Sequence, residues 1–229
     1  MSSLAVSVRR LTTITEQTAQ SVKAVFEGAY KGDHFTDIMI GSDPTLFGDL
    51  HMMCITSGLN TGQVYVAENE EKDIVGVAVW YGPEQGHPLD FTDGAHPILE
   101  PFMPKLKPEV QKWWTDVFVP ESGRLLGSQF APDARLAAWY LQDLATAPAY
   151  QRQGVARALI NEVKKQAAAD GRAITAQLAT NETKVEIFKK LGFSEIGERV
   201  EFTGPAPEEK GFYIRACVME PTSAPKTLD

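Results

Sequence analysis

Residues 151–157 read Gln151-Arg152-Gln153-Gly154-Val155-Ala156-Arg157, at the point where a β-rich segment gives way to a helical one. Residue types and spacing here suit anion binding. Gly154 and Ala156 leave the backbone uncovered, so successive N–H groups can approach a negative group closely. The start of a helix adds partial positive charge, and Arg152 and Arg157 add formal charge. A pyrophosphate is the guest such a loop would accept. The same residues also describe an ordinary strand-to-helix turn in which glycine serves only the backbone geometry, and the loop alone leaves both readings open. It has one glycine where a dinucleotide fingerprint has three. No lysine follows that glycine as in a nucleoside triphosphate loop.

Just upstream, Tyr140, Gln142 and Asp143 lie in a run, 137–146, that reads as a strand. Asp143 is the carboxylate among the three. It could take a proton from a reacting group, or simply be solvated. Regular alternation would put Tyr140 and Gln142 on one face and Asp143 on the other. Glu68 at a strand end and the histidines at 34, 51, 87 and 96 are weaker candidates for a base. Two cysteines, Cys54 and Cys217, are too few for a disulfide framework. They read as structural thiols of a cytoplasmic protein, and no metal site is expected.

The elements that must hold these residues follow from periodicity. Val6 and Val8 alternate with polar residues as a first strand. Thr13 and Glu16 stand at capping-box spacing ahead of Val22, Val25, Phe26 and Ala29, which recur at helical period. Residues 34–60 form a second helical region, broken at Asp43-Pro44. Residues 64–68 and 74–81 are β-rich runs joined as a hairpin. Residues 82–133 differ in character, with prolines at 83, 88, 97, 101, 104, 108, 120 and 132 and a short helical stretch at 109–118. This is expected to be an excursion off the scaffold with too few apolar residues for a core of its own.

Regular structure then resumes. A strand at 137–146 is followed by a helix at 154–170, with Val155, Leu159, Val163 and Ala167 at steps of four. A strand at 174–178, a helix at 182–191 and strands at 193–202 and 212–218 complete the pattern. Strands flanking single helices mean an α/β or α+β sheet, and the unit starting at 137 requires a right-handed crossover onto a partly parallel sheet. Residues 1–220 are expected to be one domain and 221–229 a flexible tail.

The chain has 229 residues, 43% of them hydrophobic and 23% charged, with a net charge of −8. Such acidity argues against a nucleic-acid partner, whose phosphates need basic stripes. No apolar run reaches the roughly 18 residues of a membrane span. The N-terminus lacks the pattern of a secretory signal. Monomer and homodimer both remain open.

The stretch 141–159 resembles the central motif of the GNAT acetyltransferase superfamily, in which Leu-x-x-Leu leads through Pro to Gln-x-x-Gly-x-Ala. Leu141, Leu144, Pro148, Tyr150, Gln151, Gly154, Ala156 and Leu159 match in order. Asn181, Lys184, Phe188, Lys190, Leu191, Gly192 and Phe193 are similar to the family's next motif, a helix ending in Gly-Phe. One helix and one strand separate the two, as in the family. Capping and packing also account for the second motif. Asn181 is a good N-cap, Gly192 suits the left-handed position after a helix, and Phe193 can pack back on Phe188.

The resemblance covers about residues 137–202. It implies a GNAT fold: a mixed central sheet flanked by helices, with a long loop-rich insertion before the central strand. It implies transfer of acetyl from acetyl-CoA directly to an amine, here expected to be a small-molecule amine. Protein lysine or N-terminal acceptors, or a non-catalytic acyl-CoA-binding regulator, are the alternatives. Pantetheine would run beside Leu144, Ala145 and Thr146, with a backbone N–H near Leu144 or Ala145 facing the oxyanion. The pyrophosphate would sit on Gln151, Arg152, Gln153, Gly154, Val155, Ala156 and Arg157. Asn181 would hydrogen-bond the pantetheine arm, with Phe188 on the same helix. The base would come from Asp143 or Tyr140, or from a chain of waters.

Phe188 departs from the family. Many members carry a tyrosine there, whose hydroxyl protonates the leaving thiolate. The segment 82–133 lies between strands that usually bracket the acceptor cleft, so it is expected to shape the acceptor site. Its acids, with Trp80, Trp113, Trp114, Trp139 and Tyr140, could hold a cationic amine. Core tryptophans beside a solvated acidic loop are the competing reading.

Gly154→Glu is expected to remove acetyl-CoA binding, because a side chain and a negative charge enter the phosphate cradle. Calorimetric titration of the folded variant checks this, and unchanged affinity would displace the site from this loop.

Overall fold

The computed structural model describes residues 6–83, 85, 99–129, 137–179, 182–206 and 209–221. Eight successive residues, Ile74-Val75-Gly76-Val77-Ala78-Val79-Trp80-Tyr81, carry no charge, as expected of a strand covered on both faces. They form β3 (Ile74–Tyr81), inside a seven-stranded sheet of the described residues. Its other strands are β1 (Ser7–Leu11), β2 (Gln63–Glu68), β4 (Trp139–Thr146), β5 (Ile174–Ala179), β6 (Ser194–Phe202) and β7 (Phe212–Met219), in the order β1-β2-β3-β4-β5-β7-β6. Only β4 and β5 are parallel. The sheet is therefore mixed and α/β in class.

Helix α6 (Val155–Ala169), which connects β4 to β5, covers one face of the sheet. The step of four read from the sequence is its buried stripe: Val155, Leu159, Val163 and Ala167 pack on Tyr65, Ala78, Trp80 and Leu141. The opposite face carries α1 (Glu16–Ala29) and α3 (Phe47–Thr61), whose Val22, Val25, Phe26 and Ile55 lie on Val64, Val66, Val77 and Val79. The short α2 (His34–Met39) stands between them. Helix α7 (Glu182–Leu191) follows β5. No helix of the described residues is long and apolar enough to cross a membrane.

Two sequence expectations change. The cap of α1 is Thr15, whose hydroxyl accepts from the Thr18 amide at 3.2 Å, and not Thr13. The predicted helix at 109–118 extends to α4 (Pro108–Trp113), a π-helical turn (Trp114–Phe118) and α5 (Val119–Gln129). Nor does this part leave the scaffold. Leu99, Phe102, Val110, Trp114 and Phe118 pack with Ile38, Leu46 and Leu50 and with Phe202, Phe212 and Ile214. The Trp114 indole donates to the Met39 carbonyl at 2.9 Å. Proline density suggested a loop, but the aromatic residues between the prolines outweigh it. Residues 86–98, and the tail 222–229, lie outside the described residues.

One close approach sets the height of α6 over the sheet. A Cβ on Gly76 would lie 2.5 Å from Val155 Cγ1 and 3.1 Å from Leu159 Cδ1. The first residue of the helix thus rests directly on the β3 backbone. Gly76→Ala overpacks this contact and should cost about 1–3 kcal/mol of stability, measurable by urea denaturation.

Candidate active site

β3 and β4 pair in register from Gly76↔Thr146 to Val79↔Asp143, and then jump to Trp80↔Leu141. Gln142 is the extra residue of a β-bulge, which bends its strand and re-aims the side chains around it. The bulge overturns the alternation expected from sequence. Trp139, Leu141 and Leu144 face α6, whereas Tyr140 and Ala145 face α1 and α3. Asp143 shares this second face with Tyr140, against Tyr30, Cys54 and Tyr81.

The same strand parts from its parallel neighbour. β4 and β5 pair only from Trp139↔Ile174 to Leu141↔Ala176. Beyond these residues the β4 edge at 142–146 opens toward a gap. At its start stand Gln142 and Gln177, the first residues past the last pair. Gln142 Oε1 and Gln177 Nε2 are both buried without a hydrogen-bond partner. Orphaned polar atoms of this kind call for an occupant.

The loop after β4 is a tightly braced turn. Pro148 ends the strand and packs under α1, where a Cβ on Gly28 would lie 2.8 Å from its ring. Gln151 donates to the Thr146 carbonyl at 3.2 Å and Gln153 to Ala149 at 2.7 Å, so both side chains brace the turn. Arg152 and Gly154 take positive φ, +62° and +92°. Backbone of this kind gathers N–H groups toward one point. Gly154 caps α6 without a side-chain acceptor, and space is open where its Cβ would be. Val155 is buried on Gly76, so its side chain belongs to the core. Arg157 donates to the Lys190 carbonyl at 2.7 Å and so ties α6 to the end of α7. A tie that sequence reading missed is Asn69, which donates to the Tyr150 hydroxyl at 3.1 Å and anchors the loop to the β2–β3 turn.

Across β4 lies a compact polar cluster drawn from distant parts of the chain. Tyr30, at the end of α1, donates to the Leu144 carbonyl at 3.3 Å. Asp33 caps α2, accepting from the Thr36 amide at 3.1 Å, and its other oxygen holds Lys184 of α7 at 2.5 Å. Lys184 Nζ also lies 5.6 Å from the Tyr30 ring centre. His51 is stacked on Phe26 at 4.5 Å and buried, which pushes its pKa down to about 4 and keeps it neutral. Asp143 Oδ2 is sealed from water without a hydrogen-bond partner. Burial pushes this carboxyl up to about 7, against the opposing pull of the Cys54 thiol and the Lys184 ammonium. The thiol is itself raised by burial and by Asp143, so it stays protonated.

The other sequence candidates find structural explanations. Glu68 is paired with Arg9 at 2.6 Å, and His34 meets the Lys210 carbonyl at 2.8 Å. The four tryptophans are core residues, each no more than 4% exposed. Phe188 packs on Phe193 with ring centres 5.1 Å apart, and Gly192 takes a φ of +107° after the helix. Asn181, His87 and His96 lie outside the described residues. Tyr30, Asp33 and Cys54 carry no motif. Lys184 stood inside one, where only its position counted.

A mixed sheet parted between its two parallel strands, with a tight glycine turn opening the next helix, is the arrangement of the GNAT fold. A family model of the acetyltransferase (GNAT) domain matches residues 114–206, and this stretch is such a domain. The fold extends over the rest of the chain. A mosquito arylalkylamine N-acetyltransferase like 5b is 17% identical, with 94% of this chain and 100% of that one covered at a TM-score of 0.61. A Corynebacterium glutamicum protein described as histone acetyltransferase HPA2 and related acetyltransferase is 19% identical, with 97% and 99% covered at 0.59. The Escherichia coli ribosomal-protein-S18-alanine N-acetyltransferase is 11% identical, with 98% and 99% covered at 0.51. No curated protein sequence matches the chain.

The raised Asp143 carboxyl has a thermodynamic signature. An unfolded aspartate titrates near 3.9, so between about pH 4 and 7 the folded state keeps a proton that the unfolded state has released. Stability falls as pH rises through that window. Asp143→Asn should therefore raise the melting temperature, by an amount that grows from about pH 4 to 7 and then levels. Thermal melts of both proteins across pH 4–9 check this.

Proposed function

We propose that the chain is an N-acetyltransferase that passes acetyl from acetyl-CoA directly to the amine of a small molecule. One observation carries the reading: a carboxyl with a pKa near 7, Asp143, adjoins the strand edge that leads to the anion-binding turn. The orphaned amides of Gln142 and Gln177 and the open cradle at Gly154 fit a pantetheine arm and its pyrophosphate. Leu144, Ala145 and Thr146 would flank the arm, and the amides at 153–157 would hold the phosphates.

Acetyl-CoA supplies an acetyl group activated as a thioester. Asp143 then has the central task. An alkylammonium with a pKa near 10 must lose its proton before it can attack. A carboxylate titrating near 7 is ionised at pH 7.5 and far more basic than an ordinary aspartate. Backbone N–H groups at the β4 edge would stabilise the developing oxyanion. A thiol with a pKa near 8.5 leaves readily at neutral pH, so the phenylalanine at 188 is tolerable. The shielded Asp143 Oδ2 suits a slim primary amine. It also favours catalysis over passive acyl-CoA binding, which would gain nothing from a raised carboxyl.

In a panel of amines with acetyl-CoA, wild-type kcat/KM should rise as pH passes through about 7. Asp143→Asn should lose that limb and lower kcat by about 10²–10⁴. Full activity of a correctly folded Asp143→Asn protein would remove Asp143 from the mechanism.

A further inference from the structure

Lys184 lies one helical turn before Phe188, on the same face of α7. A lysine on a helix of this kind ordinarily extends into water. Here the side chain is only 26% exposed and its ammonium ends on Asp33, the cap of α2, whose side chain is 9% exposed. Tyr30 presents its ring to the same ammonium and its hydroxyl to the Leu144 carbonyl. Lys184 thus joins the helix after β5 to the helices that cover β4.

We propose that Lys184 is a positioning residue for Asp143: fixed by Asp33 and Tyr30, its ammonium is the positive charge that balances the buried carboxylate. This rests on the reading of Asp143 as the base. Among the described residues, the groups around that carboxyl leave no other cation for the task. Tyr30 from α1 and Tyr81 from β3 are pushed up by burial and stay neutral. Cys54 from α3 is likewise neutral, and His51 from the same helix is held uncharged. Tyr140 lies on the same strand and face as Asp143. Asp33 is the remaining charge, and both its oxygens are engaged: one by Thr36, the other by Lys184 itself. Lys184 favours the ionised form of Asp143 and burial opposes it. Without the ammonium, only the hydrogen bond from the Cys54 thiol is left to oppose burial.

Removing the cation must therefore raise the midpoint of Asp143. The test is a carbon NMR titration of protein labelled at aspartate carboxyls, with the Asp143 signal identified by its loss in Asp143→Asn. It is run on wild type, Lys184→Met, Lys184→Gln and Lys184→Arg, beside kcat/KM across pH 6–9.5. Met and Gln should each move the midpoint upward, by about one unit, which is a tenfold change in the ionisation constant. Their kcat/KM should then fall about fivefold at pH 7 and recover to within about threefold by pH 9.5. Arg should stay close to wild type. Two neutral variants are used so that a folding failure in one leaves the other to decide.

An unmoved midpoint in either folded neutral variant overturns the proposal. So does a loss of rate that is equal at every pH, which a merely structural lysine would give. If the midpoint moves but the wild-type protein acetylates no amine, the acetyltransfer reading fails, and the effect of Lys184 on Asp143 stands.

Discussion

β4 keeps its hydrogen bonds to β3 almost throughout, yet it pairs with β5 only as far as Leu141 and Ala176. Backbone N–H and C=O groups past that point must find partners other than a neighbouring strand. Tyr30 satisfies the Leu144 carbonyl from one side. Along the edge itself, a ligand with its own amides can complete the ladder. The same parting fixes where α6 begins, because Pro148 and Gly154 turn the chain straight from the open edge into the helix. The open edge and the turn into α6 are thereby continuous along the chain.

Opposed forces meet at the other side of β4. Removing a carboxylate from water is costly unless it is paired or becomes neutral. Asp143 has an incomplete set of partners, and its titration near neutrality is the compromise between burial on one side and the Cys54 thiol and Lys184 ammonium on the other. Such a group weakens the fold, and perturbed carboxyls of this kind gather where proton transfer is needed. The surrounding rings and thiol stay neutral and contribute shape rather than charge.

The elements of this fold were largely legible because burial leaves a period behind. Val155, Leu159, Val163 and Ala167 announced α6, and the uncharged run from Val75 to Tyr81 announced β3. Gly154 could be read as the turn into α6 because its position follows Pro148 and precedes a helical stripe. The bulge at Gln142 was not legible, since an extra polar residue in a strand has no compositional mark. It set Tyr140 and Asp143 on one face, against the regular alternation. The polar cluster was hidden for a different reason. Tyr30 meets Leu144 across 114 positions and Asp33 meets Lys184 across 151, and no local pattern encodes such pairs. Prolines concealed the packing of Leu99, Phe102 and Trp114 by resembling a loop.

Without Gln142, the remaining residues of β4 alternate without a break: Trp139, Leu141 and Leu144 to one side, Tyr140, Asp143 and Ala145 to the other. That residue is surplus to the pleat. Delete it, and every neighbour would keep its present face while the strand lost its bend and could lie flat against β5. The difference between a flat strand and a bent one is then a matter of length, one inserted residue, with no new functional group. Exchanging Gln142 for another side chain would leave the bend in place. Losing it would restore the regular pleat.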